Sequence, residues 1–194
     1  MILTDFSSLI FYRKVIAATA VALLIINTNL ASAEPAMPNQ NRVIPNLAVQ
    51  DQFGSDKQFY SDLVEGRLVA INFIFTRCEM ICPISGFKFS QLRRAVKADQ
   101  KTSLQLISMT TDVPYDSPQR LKAWAEKFGS GDGWSQITGD KQTMDTLLKS
   151  MQAFAADKLD HTALILLIND KLGMHKWVDG NISVQDILAA ANTW

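Results

Sequence analysis

Residues 68–94, LVAINFIFTRCEMICPISGFKFSQLRR, decide the fold of this chain. The first eight are rich in β-branched, aromatic and leucine side chains without polar alternation, which is typical of a strand buried on both faces. Pro83 suits the first turn of a helix, where its missing N–H costs no hydrogen bond. The two cysteines of the chain, Cys78 and Cys82, therefore fall where a central strand turns into a helix.

The position of these cysteines has chemical consequences. A helix N-terminus favours a thiolate, and Arg77 acts in the same direction whereas Glu79 opposes it. Four residues apart on a helix, the cysteines would lie about 6 Å apart along its axis with their side chains on one face. That separation suits a disulfide and also two sulfur ligands on one metal ion. Spacing alone leaves a dithiol, a disulfide and a metal clamp open.

The composition indicates one exported domain. The 194 residues are 47% hydrophobic, enough for a core, and the 19 basic and 19 acidic side chains give no basic surface for nucleic acid. Residues 1–33 resemble a signal peptide, with Arg13 and Lys14 ahead of an apolar run and a small-residue cleavage pattern ending at Ala33. We expect cleavage there, and a membrane anchor is the alternative. The mature protein is expected in the periplasm or on the extracytoplasmic face of the inner membrane, where disulfides persist.

The remaining chain predicts a linker at residues 34–42 and one domain at 43–194. An N-terminal β-hairpin is expected from strands at 46–49 and 58–60. Further strands are expected at 104–110, 134–138, 163–168 and 175–178, with helices from Pro83 onward, from Ser117–Pro118 to 128, at 141–151 and at 184–191. This order predicts an α/β domain of the thioredoxin-like kind, with a central mixed sheet flanked by helices and an N-terminal β-hairpin extension.

Four segments, in the same order, resemble the signature of the SCO/SenC family. They are Phe75-Thr76-x-Cys78-x3-Cys82-Pro83, DVPYDSP at 112–118, WSQITG at 134–139 and Asp160-His161-Thr162. The members of that family are copper-binding, thioredoxin-like proteins associated with cytochrome c oxidase assembly.

The resemblance implies a copper site with Cys78 and Cys82 as thiolate ligands and His161 as the imidazole ligand. Thiolates select Cu(I), and imidazole suits copper in either oxidation state, so the ion is Cu(I), Cu(II) or both in turn. Asp160 would orient His161 as a hydrogen-bond acceptor. The implied function is that of a metallochaperone, which delivers copper to a cytochrome c oxidase subunit or another exported cuproprotein.

A thiol–disulfide oxidoreductase is the alternative from a different class, so enzymatic activity stays open. Cys78 would attack and Cys82 would resolve the mixed disulfide, keeping the cysteines of a copper-accepting target reduced with the help of a thiol reductant. A typical redox motif has two residues between its cysteines, whereas this chain has three. A redox or copper sensor would use the same residues.

The chain departs from the family pattern in two places. Glu79 stands where the family commonly has proline, and Met80 follows it. The segment between about residue 151 and His161 is also short, which predicts a more exposed metal or a different partner surface. Outside these segments, His175 is expected on the surface. Asp112 and Asp116, which precede a helix, are expected to organise a loop rather than bind a hard metal.

Overall fold

The computed structural model describes residues 43–99, 103–153 and 163–194. Seven strands in these ranges form one sheet: β1 (Ala48–Asp51), β2 (Asp56–Gln58), β3 (Leu68–Ile74), β4 (Leu104–Thr110), β5 (Trp134–Thr138), β6 (Leu164–Asn169) and β7 (Met174–Asp179). Four α-helices accompany them: α1 (Ile81–Ala98), α2 (Pro118–Glu126), α3 (Lys141–Ser150) and α4 (Val184–Asn192). A π-helical turn covers Phe59–Val64 and a 3-10 turn covers Asp170–Leu172.

Strand β3 lies inside the sheet, whose order is β2-β1-β5-β4-β3-β6-β7. It pairs in parallel with β4 and antiparallel with β6, and β4 pairs in parallel with β5. Neighbours on both sides and helices on both faces bury this strand, as its apolar pattern, interrupted only by Asn72, predicts. The predicted mixed sheet of a thioredoxin-like α/β domain is confirmed.

Two apolar layers cover the two faces of the sheet. On one face, α1, α2 and α4 contribute Phe89, Leu121 and Ile187 to a core that also contains Cys82. On the other face, α3 and the π-helical turn contribute a second core, which includes Phe59, Met144 and Leu147. The cysteine pair therefore belongs to the layer built by α1, α2 and α4.

Aromatic rings are prominent in both layers. In the α1 layer, the ring of Trp134 lies 5.9 Å from that of Phe89 and 6.3 Å from that of Trp124, the latter pair in an edge-on arrangement. In the opposite layer, the ring of Trp177 lies 5.7 Å from that of Phe73. Each layer therefore contains tryptophan in contact with another ring.

The N-terminal hairpin is present, but its second strand is displaced from the prediction. Residues 58–60 were expected in this strand, whereas β2 ends at Gln58 and Phe59 begins the π-helical turn. The side chain of Asp51 accepts hydrogen bonds from the N–H groups of Phe53 (2.8 Å) and Ser55 (3.0 Å), which starts the return strand early. Phe59 is then free to enter the core. Because β1 pairs with β5, the hairpin extends the sheet at one edge.

The predicted start of α2 is confirmed. The Ser117 hydroxyl accepts a hydrogen bond from the N–H of Arg120 (3.4 Å), and Pro118 occupies the first helical position. The helix ends at Glu126, slightly before the expected residue 128, and the chain then turns through Gly129 at φ 65°. No helix within the described ranges is long and apolar enough to span a membrane. The predicted signal peptide and linker lie outside those ranges.

Candidate metal centre

Cys78 lies in the turn between β3 and α1, where its backbone N–H donates to the carbonyl of Phe75 (3.1 Å). The side chain is half-buried. Met80 is the N-cap residue of α1, and its own side chain makes no capping hydrogen bond. Instead, the sulfur of Cys78 accepts the N–H of Cys82 at 3.3 Å. Cys78 therefore occupies the position at which a helix start favours negative charge.

The pKa of Cys78 is lowered from its ordinary value. Burial acts to raise it, but the hydrogen bond from the Cys82 thiol and the N–H groups of Cys82, Met80 and Ile81 together outweigh burial. Each of these donors stabilises the thiolate directly. This direction agrees with the expectation from the sequence that a helix start favours a thiolate here.

Cys82 has the opposite environment. Its side chain is only 1% exposed, and burial raises its pKa to about 12, with further contributions from the hydrogen bond to Cys78 and the charges of Cys78 and Asp116. A backbone hydrogen bond from Phe75 opposes these effects. Both cysteines are free thiols. The pair thus combines a half-buried thiol whose pKa is lowered with a fully buried thiol whose pKa is raised.

The two cysteines lie at the junction of β3 and α1, as the sequence predicts. Cys82 lies in the first turn of α1, whereas Cys78 precedes the helix. The two residues meet because the turn folds the sulfur of Cys78 back over the helix start. The sulfurs remain neighbours, so a dithiol and a two-sulfur metal site are both still compatible with the geometry.

Asp116 fixes the beginning of this turn to the neighbouring strand. Its carboxylate accepts hydrogen bonds from the Thr76 N–H (3.0 Å), the Thr76 hydroxyl (2.5 Å) and the Thr110 hydroxyl (2.6 Å). The Asp116 side chain is 1% exposed. The prediction that Asp116 organises a loop is confirmed, and the loop is the one that carries Cys78.

Asp112 anchors the same turn through Arg77. The guanidinium of Arg77 donates to the carboxylate of Asp112 at 2.6 Å, and Asp112 is buried. The Arg77 guanidinium also lies 4.9 Å from the centre of the Tyr115 ring. The guanidinium of Arg120, a residue of α2, lies 3.9 Å from the same ring. A carboxylate therefore compensates the Arg77 charge that was expected to act on Cys78, and the loop role predicted for Asp112 is confirmed.

Sequence reasoning missed a buried polar network beneath the start of α1. The Asn72 amide donates to the Ser85 hydroxyl (2.8 Å) and accepts from the Ser108 hydroxyl (2.6 Å), which in turn accepts from the Trp134 indole N–H (2.9 Å). It joins α1 to β3, β4 and β5. The signal was available, because Asn72 and Ser108 are polar residues within two otherwise apolar strands.

His161 and Asp160 lie outside the described ranges. Among residues 43–99, 103–153 and 163–194, no three histidine, cysteine or acidic side chains form a group that could hold a metal ion. Of the departures noted above, Glu79 and Met80 are both exposed, Met80 by 82%.

His175 lies far from the cysteines. It pairs with Ile168, which in turn pairs with Val69 near the beginning of β3, whereas Cys78 follows the end of that strand. His175 is partly buried and lines a cavity of about 600 Å³ together with Tyr60, Asp170 and Met174. The expectation of a surface position is therefore only partly met.

The sheet order, the helix layers and the dithiol at the junction of β3 and α1 are those of a thioredoxin-like protein. The SCO1/SenC family model matches residues 37–194. Because this match covers most of its length, the chain belongs to the SCO1/SenC family.

Individual relatives agree with this assignment. A candidate copper-binding protein of Stutzerimonas stutzeri is 30% identical over 125 residues, which are 64% of this chain and 59% of that protein. The chain therefore spans about three fifths of that relative's length. Among solved structures, BsSco, a member of the Sco family of cytochrome c oxidase assembly proteins with a disulfide switch, is 28% identical. Its TM-score is 0.67, with 79% of this chain and 94% of that chain covered.

Yeast Sco1 with copper bound shares the fold at lower identity. The two chains are 20% identical, the TM-score is 0.63, and the match covers 77% of this chain and 95% of the yeast chain.

Proposed function

We propose that this protein is an exported copper metallochaperone that holds copper through Cys78, Cys82 and His161. The observation that carries the proposal is the contact between two free thiols at the start of α1, one accessible and one buried. Its family membership and the names of the copper-binding relatives support the choice of metal. Thiolates are soft ligands that bind Cu(I) well, although they also bind zinc, so the choice of copper rests on the family.

The two thiols have different roles in binding the copper ion. The Cys78 sulfur is stabilised as a thiolate by backbone N–H groups and is half-exposed, so it meets an incoming ion first. Cys82 must lose its proton before it can bind, because thiols bind metals in the deprotonated form. Copper binding therefore releases a proton from the interior of the domain.

The register of β6 supports His161 as the third ligand. Ile165 of β6 pairs with Asn72 of β3, and the same register continued brings Ala163 level with Ile74, the last residue of β3. His161 precedes Ala163 by two residues, which span at most about 7 Å of chain. His161 thus stands two residues before the position that is level with the end of β3, where the turn that carries Cys78 begins.

The proposal also includes the compartment in which the protein acts and the protein that accepts its copper. Residues 1–33 would direct export, as a cleaved signal peptide or as an anchor, residues 34–42 would form a linker, and residues 43–194 would act in the periplasm or at the extracytoplasmic face of the inner membrane. The recipient would be a cytochrome c oxidase subunit or another exported cuproprotein, because BsSco belongs to a family of oxidase assembly proteins.

The test is an anaerobic titration of the reduced mature protein with Cu(I) against a competing chelator. We expect one tightly bound ion per chain, and sharply weaker binding in Cys78→Ser, Cys82→Ser and His161→Ala. His175→Ala is the matched control, because His175 is the other histidine of the chain and lies near the opposite end of β3. Absence of binding, or equal affinities of His161→Ala and His175→Ala, would contradict the proposed site.

The difference in burial and pKa between the two thiols supports a second candidate function, that of a thiol–disulfide oxidoreductase. The Cys78 thiolate would attack a target disulfide and release one target thiolate. The Cys82 thiol, after losing its proton, would then attack the Cys78 sulfur, release the second target thiolate and leave a Cys78–Cys82 disulfide. A thiol reductant would restore the dithiol. Rapid exchange with a disulfide peptide that survives His161→Ala, together with weak copper binding, would favour this function.

A further inference from the structure

We propose that the thioether of Met80 is an additional copper ligand, which binds the ion while it enters or leaves the cysteine pair. This inference rests on the proposed copper binding at Cys78 and Cys82. It assigns a role in metal exchange to the side chain that follows Glu79, the position at which the sequence departs from the family pattern.

The position of Met80 brings its side chain within reach of the site. Met80 follows Cys78 by two residues, so their Cα atoms are separated by at most about 7 Å. Its backbone N–H contributes to the hydrogen bonding of the Cys78 sulfur. The three rotatable bonds of a methionine side chain allow its sulfur to swing from solvent toward this point.

The exposure of Met80 has no explanation in the packing of the domain. The side chain is 82% exposed, although methionine usually fills gaps in cores. Cys82 is 1% exposed and closes the inner side of the pair. An ion or an acceptor must therefore approach from the outer side, where Met80 stands beside the half-buried Cys78.

A thioether suits this role chemically. It is a soft ligand that prefers Cu(I), and, unlike a thiol or an imidazole, it has no proton to lose or gain near neutral pH. As the Cys82 sulfur leaves the ion, the Met80 sulfur would take the position that it vacates. The ion remains Cu(I) throughout, so the step needs no electron donor.

An apolar stripe offers a different explanation of the same exposure. Ile84 and Phe87 are 58% and 57% exposed, and they follow Met80 at the spacing of one helix face. In that case Met80 would contribute apolar area to a protein contact, and its sulfur would have no special function. Met80→Leu separates the two explanations, because leucine keeps the apolar character and removes the sulfur.

The first measurement is the number of sulfur neighbours of bound Cu(I), taken by X-ray absorption. His161→Ala is used to leave a position open, and it is compared with the double variant His161→Ala/Met80→Leu. We expect one sulfur neighbour more in the single variant than in the double variant. Equal sulfur counts would overturn the assignment of Met80, whereas absence of Cu(I) binding by the wild-type protein would overturn the proposed function itself.

The second measurement is the rate at which Cu(I) leaves the loaded protein for an excess of bathocuproine disulfonate. We expect Met80→Leu to lower this rate several-fold, because no thioether is then available to hold the ion as another sulfur leaves it. Phe87→Leu is the matched control on the same stripe and should release copper at the wild-type rate. Equal slowing by Met80→Leu and Phe87→Leu would show a surface effect and overturn the proposal.

Discussion

Replacing Asp116 with asparagine tests how the cysteine turn is held. The carboxylate accepts three hydrogen bonds from Thr76 and Thr110 and is almost fully buried. An asparagine side chain has one acceptor oxygen, and its amide group would face donors that it cannot accept from. Asp116→Asn therefore removes the charge from these hydrogen bonds and breaks or reverses at least one of them.

The expected loss of stability follows from these contacts. Hydrogen bonds to a charged group contribute about 1.5–3 kcal/mol each, so losing one and weakening the others should cost about 2–4 kcal/mol. For a domain of this size, 1 kcal/mol lowers Tm by about 2–4 °C, so the melting temperature should fall by about 5–15 °C.

Scanning calorimetry of the reduced, metal-free protein measures this change. Asp56→Asn is the matched control, because Asp56 is exposed and accepts from the Gln50 amide at the surface, and its Tm should stay near that of the wild type. Thr110→Val removes one of the three hydrogen bonds, so its Tm should lie between those of Asp116→Asn and Asp56→Asn. If Asp116→Asn melts within about 1 °C of Asp56→Asn, Asp116 does not fix the turn as argued.

Three further predictions concern the thiols and the core. At neutral pH, iodoacetamide should label Cys78 first and Cys82 only after unfolding, because burial holds the pKa of Cys82 at about 12, and peptide mass spectrometry would detect the order. Ser108→Ala removes the hydroxyl that joins a buried amide to a buried indole and should cost about 2–4 kcal/mol by calorimetry, whereas an effect below about 0.5 kcal/mol would contradict the network. Gly86→Ala places a Cβ 2.7 Å from the Phe128 ring and should cost about 1–3 kcal/mol, part of which Phe128→Leu should restore.

Strong local patterns made much of the fold predictable. The strands at 104–110 and 134–138 match β4 and β5 to the residue, because β-branched, aromatic and other apolar residues in both segments are bounded by turn-forming residues. The second strand of the hairpin was misplaced because Phe59 fits an edge strand as well as a core position. The turn held by Asp51 decides between the edge-strand and the core position of Phe59. The hydrogen bonds of Asp51 to Phe53 and Ser55 form only once this turn has folded.

The candidate site was predictable in its location more than in its chemistry. The sequence puts Cys78 and Cys82 at the junction of a strand and a helix, and the fold agrees. The contrast between the two thiols could not be read from their spacing. It arises from burial and from backbone N–H groups whose directions are set only when the turn closes.

The aromatic contacts on the two faces of the sheet have an optical consequence. Trp124 and Trp134 are close enough to exchange excitation energy and to couple their transitions, so they should emit and absorb polarised light as one unit. Trp177 lies against Phe73 in the other layer and is not part of that pair. The exciton contribution of Trp124 and Trp134 to circular dichroism should therefore report on the layer of α1, which also contains Cys82.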